Sequence, residues 1–344
     1  MNNLILRLIN SLLETCLKEM EDSHFDQAIA DVKIIDSKIL TATSFQLGII
    51  YEALHAAKPY CKNGGSLDRI LANIKSRIWE NFRASRFNYF DTVRLPDDLD
   101  TASVIVRVLD DERVWEAFSE FVSMNKAPEG FISTWSNLSK NDGIKRASGD
   151  NPFHVDVMLN YFLTVIQSNA GKYFDIERLR NLIRRHRLIN YWYIPFFYSS
   201  YLYSKLLLSK KELFLKEDLE HLDENIIRCT PDSIENSNCG LLNTCKLGQV
   251  REIVAKEHQS SWLNRAYYMG ALCNRAVFLH NRVQALDRII MNELEIIEKE
   301  RNCSIPALFW TLGFKPYRSG ALNDTIYLEI LTRVAEYLSL KSEG

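Results

Sequence analysis

Thirteen glycines and eight prolines are few for 344 residues, and they fall at intervals that mark helix ends. No run of apolar residues approaches the ~18–20 needed to cross a bilayer. Arg7, Glu14, Lys18 and Glu19 interrupt the N-terminal segment, which argues against a signal peptide. Charge of one sign is missing too: 42 basic side chains face 44 acidic ones, so binding of nucleic acid through bulk charge is not expected. Seven cysteines stand at positions 16, 61, 229, 239, 245, 273 and 303, with no Cys-x-x-Cys pair. Cys239 and Cys245 have no pair of histidines at finger spacing, so reduced thiols in a cytoplasmic protein are expected rather than zinc. Gly64-Gly65-Ser66 lacks the lysine of a phosphate loop, and no His-Glu-x-x-His site or nucleophilic triad is visible.

What the chain does have is helical periodicity. Ile5, Leu8, Leu12, Cys16 and Met20 form one apolar stripe. Similar stripes run through 45–57, 67–82, 154–167, 194–208, 262–279, 282–299 and 325–338, each flanked by cap or turn residues. Convincing strand–turn–strand patterns are absent. Val104, Val106 and Val108 alternate as a strand would, but burial overrides the modest helix propensity of β-branched residues, and this segment reads as a buried helix. Residues 143–151 and 229–247, rich in Asn, Ser, Gly and Asp, read as long loops. No composition break divides the chain. An all-α fold of about a dozen helices in one domain, 1–344, is expected.

The most unusual stretch is Arg94-Leu-Pro-Asp-Asp-Leu-Asp-Thr-Ala-Ser-Val. Three carboxylates, Asp97, Asp98 and Asp100, precede a strongly apolar segment. One reading is a helix N-cap, where Asp satisfies free backbone N–H groups and suits the helix dipole. The other notes that fewer would suffice for capping. Crowded carboxylates beside an apolar wall resist ionisation, and a carboxylic acid kept protonated in a dry pocket serves as a general acid.

Asp98-Leu99-Asp100-Thr101-Ala102 resembles the Asp-x-Asp-Asp motif of class II terpene cyclases, and more closely its Asp-x-Asp-Thr-Thr variant. Leu95-Pro96-Asp97 looks like the run that introduces this acid in bacterial single-domain members. Val155-Asp156 through Asn160 is similar to the family's Val-Asp-x-x-x-Asn segment, and Asn190 to Tyr198 to its Tyr-Tyr-x-Pro-aromatic-aromatic-Tyr helix start. Length points to single-domain meroterpenoid cyclases of the merosterolic acid synthase type, within the squalene–hopene cyclase superfamily. The resemblance implies a single α/α toroid around a central apolar cavity. It implies Asp100 as the proton donor, with Asp98 orienting its proton. It further implies a small-molecule prenylated substrate and no required cofactor, with Mg²⁺ entering only alongside a diphosphate substrate. Such a substrate partitions into lipid, so peripheral membrane contact is compatible with this reading.

Several other residues join the expected site. Thr101 and Ala102 stand where the motif has Asp-Asp or Thr-Thr, and His154 stands as a hydrogen-bond partner or a route for reprotonation, against a packing role. Aromatic faces stabilise cations by ~0.5–2 kcal/mol per contact. Rings crowd at 191–203 and again at Phe309, Trp310, Phe314 and Tyr317, so Trp192, Phe197 and Trp310 are the expected cavity walls. Arg83, Arg86 and Arg94 precede the acid and could grip an anionic head group, with a solvated helix face as the alternative.

Three other readings compete with this one. Asp97-Asp98-Leu99-Asp100 could open the metal site of a class I terpene synthase, but Asn323-Asp324 is followed by Tyr327 and Leu331 where Ser and Glu are needed. A phosphatase of the haloacid dehalogenase type needs a hydrophobic strand before its Asp-x-Asp, where this chain has Arg94, Pro96 and Asp97. A non-catalytic helical toroid binding a lipid or a protein would keep the rings but not need a buried acid.

Overall fold

The computed structural model describes residues 1–21, 29–35, 38–62, 64–89, 96–136, 153–167, 174–188, 190, 195–227, 229–231, 262–301, 308–312 and 315–341, with only the backbone at 31–35, 38–40, 128, 308–312 and 315–318. Among these residues are twelve α-helices: α1 (Asn2–Met20), α2 (Ser44–Ala57), α3 (Gly64–Ser85), α4 (Leu99–Leu109), α5 (Glu112–Met124), α6 (Val155–Gln167), α7 (Ile176–His186), α8 (Tyr198–Ser209), α9 (Lys216–Ile226), α10 (Trp262–Leu279), α11 (Gln284–Arg301) and α12 (Gly320–Leu338).

The even-numbered helices pack in a closed ring, α2 on α4, α4 on α6, α6 on α8, α8 on α10, α10 on α12 and α12 back on α2. The odd-numbered helices lie outside: α1 against α12, α3 against α2 and α4, α5 against α4, α7 against α6, α9 against α8, and α11 against α10. The chain thus alternates between an outer and an inner ring, and the α/α toroid is present. Composition follows position. In α6 every residue from Val155 to Ile166 is buried, and in α8 every residue from Tyr198 to Leu207, because an inner helix meets protein on all sides. In α3 only one stripe, Leu67, Ile70, Leu71, Ile74 and Ile78 with Ser85, is buried.

Residues Val104 to Val108 are helical, as expected, with Val104, Val106 and Val108 at most 2% exposed. Helix limits differ from the apolar stripes where caps decide. Ser319 accepts from the Leu322 N–H at 3.2 Å and starts α12 five residues before its apolar stripe. The helix expected from 194 begins at Tyr198, after a turn at Pro195. Residues 143–151 and 232–247 of the expected loops lie outside the described residues.

One expectation fails. Two antiparallel hairpins are present, β1 (Asp31–Ile35) with β2 (Lys38–Ala42), and β3 (Leu308–Leu312) with β4 (Lys315–Arg318). Their strands are only four or five residues long, too short to stand out beside long helical stripes. The second carries Trp310 and Tyr317 as cross-strand partners.

Close approach within the inner ring is set by glycine. A Cβ on Gly48 of α2 would lie 1.9 Å from Val104 Cγ1 of α4, and one on Gly270 of α10 would lie 2.8 Å from the Tyr201 ring of α8. Gly48→Ala is therefore expected to lower unfolding free energy by ~1–3 kcal/mol in chemical denaturation. Gly64→Ala, with nothing within 4 Å of its new methyl, is expected to leave it unchanged or raise it.

Candidate functional site

The acidic segment is held between two stretches of backbone before it enters the inner ring. The Asp98 N–H donates to the Phe87 carbonyl at 3.0 Å, the Leu99 N–H to Thr134 at 2.8 Å, and the Ser136 N–H to Asp97 at 2.8 Å. Asp98 is then the N-cap of α4. Its Oδ1 accepts from the Asp100 N–H at 3.3 Å, and its Oδ2 from the Thr101 N–H at 3.0 Å and the Thr101 hydroxyl at 2.6 Å. The capping reading holds for Asp98, and Asp100 is left to face the neighbouring helix.

Asp100 is 6% exposed, and its Oδ1 lies 2.5 Å from the side-chain amide of Asn160 on α6. Sequence reasoning quoted Asn160 within a motif but did not place it in the site; its spacing from Asp156 by one helical turn was the available signal. The resemblance-based pair is thus a triad in space: Asp98, Asp100 and Asn160.

Burial pushes the Asp98 carboxyl up, to about 6, although donors from Thr101 and Asp100 pull it down; the charge of Asp97 adds to the rise. Asp97 is raised as well, by burial, with Arg86 opposing. Two acids at the head of one inner helix are therefore kept from ionising easily.

His154 lies at the start of α6, 1% exposed, with Nδ1 2.9 Å from the Thr134 hydroxyl. Thr134 also accepts from Leu99, so the histidine reaches the acid helix through one residue. Phe197 is fully buried before α8; its ring sits 4.9 Å from Tyr268 and 5.0 Å from Phe196, and its N–H donates to Asn264 of α10 at 3.2 Å. Further rings meet nearby, Tyr198 with Tyr267 at 5.2 Å and Trp262 with Tyr327 at 5.8 Å. Arg94 and Trp192 lie outside the described residues, as does the side chain of Trp310.

The remaining arginines do not join Asp100. Arg83 lies over the Trp79 ring at 5.1 Å, and the exposed Arg86 pairs with Glu120 at 3.2 Å. The surface reading holds for both. The phosphatase alternative fails on architecture, since the Asp-x-Asp opens a helix of an all-helical ring. No three His, Cys, Asp or Glu side chains gather into a metal site among the described residues. The Asp98 oxygens, moreover, are turned onto their own helix start. None of the helices is long and apolar enough to cross a membrane among the described residues.

No family model matches this sequence, and no curated protein does. Solved structures do. The type II terpene cyclase MstE from Scytonema, without ligand, superposes with a TM-score of 0.65 at 12% identity, over 98% of this chain and 99% of that one. This chain has the fold of that cyclase. A variant of MstE in complex with geranylgeranyl dihydroxybenzoate, described as its substrate, gives 0.65 at 12% identity over 97% and 99%. Another variant, in complex with merosterolic acid A as product, gives 0.63 at 13% identity over 97% and 99%.

The raised Asp98 sets a pH signature. A carboxyl that is harder to ionise folded than unfolded contributes stability below about pH 4 and loses it as pH rises through about 6. The melting temperature of Asp98→Asn relative to wild type is expected to climb between pH 4 and 6 and to level off above 7. A difference flat across that window would show that Asp98 titrates alike in both states.

Proposed function

We propose that this protein is a class II terpene cyclase, in which Asp100 protonates the terminal alkene of a linear prenyl chain and starts cationic ring closure. The observation that supports this most directly is the buried Asp100–Asn160 contact at 2.5 Å. Such a contact is made either by an amide N–H on a carboxylate or, with the amide turned over, by an acid O–H on the amide oxygen. An Asn amide turned by half a revolution offers Oδ1 in place of Nδ2, and among the described residues Oδ1 of Asn160 has no other partner. In that arrangement Asp100 is a neutral acid whose proton is held by Asn160. Asp98, which accepts three hydrogen bonds, carries the negative charge of the pair.

The remaining steps need surroundings that neither quench nor expel a cation. Phe197, Tyr198, Tyr267 and Tyr268 concentrate ring faces at the starts of α8 and α10, and Trp192 and Trp310 are proposed to extend that wall. Once the chain has closed, loss of a proton ends the reaction and Asp100 must be recharged; His154, joined to the acid helix through Thr134, is the proposed route. Thr101 anchors Asp98 during the cycle. The fold shared with MstE and the ligand of its complex favour a geranylgeranyl or farnesyl chain on an aromatic acid, with Arg94 as a proposed anchor for the carboxylate. A cytoplasmic enzyme acting without a metal of its own is the corresponding reading, Mg²⁺ entering only as a companion of a diphosphate.

Incubation with prenylated dihydroxybenzoates and with farnesyl and geranylgeranyl diphosphates, followed by mass spectrometry and NMR, tests the proposal. Cyclised isomers of unchanged mass are expected. Asp100→Asn is expected to lower their formation by at least ~10²-fold while circular dichroism stays that of wild type. Full turnover by that variant would end the assignment. Binding of prenyl chains without any turnover by wild type would favour a non-catalytic toroid.

A further inference from the structure

Arg107 lies on the same side of α4 as Asp100, because seven residues return a helix to its starting face about 10 Å along the axis. Its side chain is 6% exposed. Nη1 donates to the carbonyl oxygen of Asn160 at 3.1 Å and to the Thr164 hydroxyl at 2.7 Å. Nε donates to Glu52 of α2 at 2.5 Å. Arg107 therefore fastens the backbone of the residue whose amide meets Asp100, while Glu52 supplies an opposite charge in direct contact. The ladder continues outward: Lys205 of α8 lies 3.9 Å from Glu52 and 2.7 Å from Glu329 of α12. These groups line a cavity of about 450 Å³ at the C-terminal ends of the inner helices, away from the acid.

A bare guanidinium at this place would oppose both a protonated Asp100 and the carbocation that follows. At an effective dielectric of ~20, a unit charge about 10 Å away moves a titration by roughly one pH unit, or a rate by roughly tenfold. We infer that Arg107 and Glu52 form a charge-neutral positioning pair for the proton donor: Arg107 sets Asn160 against Asp100, and Glu52 cancels the charge that this costs. The inference rests on Asp100 being the acid proposed above. The other charged groups facing the pair are His55 from α2, Lys75 from α3, Asp110 after α4, Lys205 from α8, and Glu329, Arg333 and Glu336 from α12. At the other end of α4, Asp97 and Asp98 directly precede Asp100 in its own segment, and His154 and Asp156 stand at the start of α6. None of these changes in the variants below.

Rate–pH profiles of cyclisation separate a charge-balancing pair from a plain structural staple. A general acid loses activity above its titration, so the alkaline limb reports it. Glu52→Gln leaves an unbalanced cation, and the limb is expected about one pH unit lower, with kcat down roughly tenfold on that limb and KM little changed. Arg107→Met leaves an unbalanced anion, and the limb is expected to move the other way. The double variant is expected to restore the wild-type limb, and Glu52→Asp, which keeps the charge, to leave it in place. If Arg107→Met does not fold, Glu52→Gln against Glu52→Asp decides. The carboxyl infrared band lost in Asp100→Asn, titrated in the same variants, is expected to follow the same order without any substrate. It thereby separates failure of this pairing from failure of the cyclase reading. Limb and band at the same pH in Glu52→Gln and wild type would overturn the inference.

Discussion

Placing two carboxyl groups at the head of a helix buried on all sides is the constraint around which this molecule is organised. Water cannot satisfy Asp98 and Asp100, so protein must. Asp98 is satisfied by the first turn of its own helix, through Thr101 and the Asp100 N–H. Asp100 is met across the ring by Asn160. The segment that carries them is clamped on both flanks, by Phe87 on one side and by Thr134 and Ser136 on the other. A loop able to drift would let water reach the acids and relieve the desolvation that sets their chemistry.

The alternation of inner and outer helices explains which residues tolerate polarity. Outer helices carry one apolar stripe and turn their charges to solvent, as α3 does. Inner helices have no such face, and several of their polar side chains pair across the ring. Arg107 answers Glu52, Lys205 answers Glu329, and Asn274 of α10 donates to Ser204 of α8 at 2.9 Å. Burial alone would lift the Glu329 carboxyl; Lys205, Arg333 and the Tyr201 hydroxyl outweigh it and hold it below the usual range. Removing one partner of such a pair is far more damaging than replacing both, since the survivor is left charged in a dry place.

Much of this was legible in the sequence, for physical reasons that can be named. Helical stripes appear because one face of each outer helix must be apolar, and Val104 to Val108 reads as a helix despite β-branching because burial overrides propensity. Asp98 and Asp100 stood out because three acids exceed what a cap needs. The partners did not stand out. Asn160 is 60 residues from Asp100, and Glu52 is 55 from Arg107, separations at which spacing along the chain says nothing about contact. The hairpins were missed for a different reason. Strands of four or five residues leave too few alternating positions to compete with a helical pattern.

The division of labour within the acid pair also follows from where the helix begins. The N-terminal turn carries exposed N–H groups and the positive end of the helix dipole, which favour a negative charge. A proton donor placed there unaided would tend to lose its proton to that field. Asp98 stands ahead of Asp100 and occupies the free N–H groups itself, so in the proposed function the field acts first on the residue that would carry the charge. Asp100, already inside the first turn, is left facing an amide across an inner-ring seam. A cap needs only Asp98, so the second buried acid, held against Asn160, is more than the helix start requires. In the proposed function that surplus acid is the proton donor, and the burial that makes it costly also keeps its proton from water.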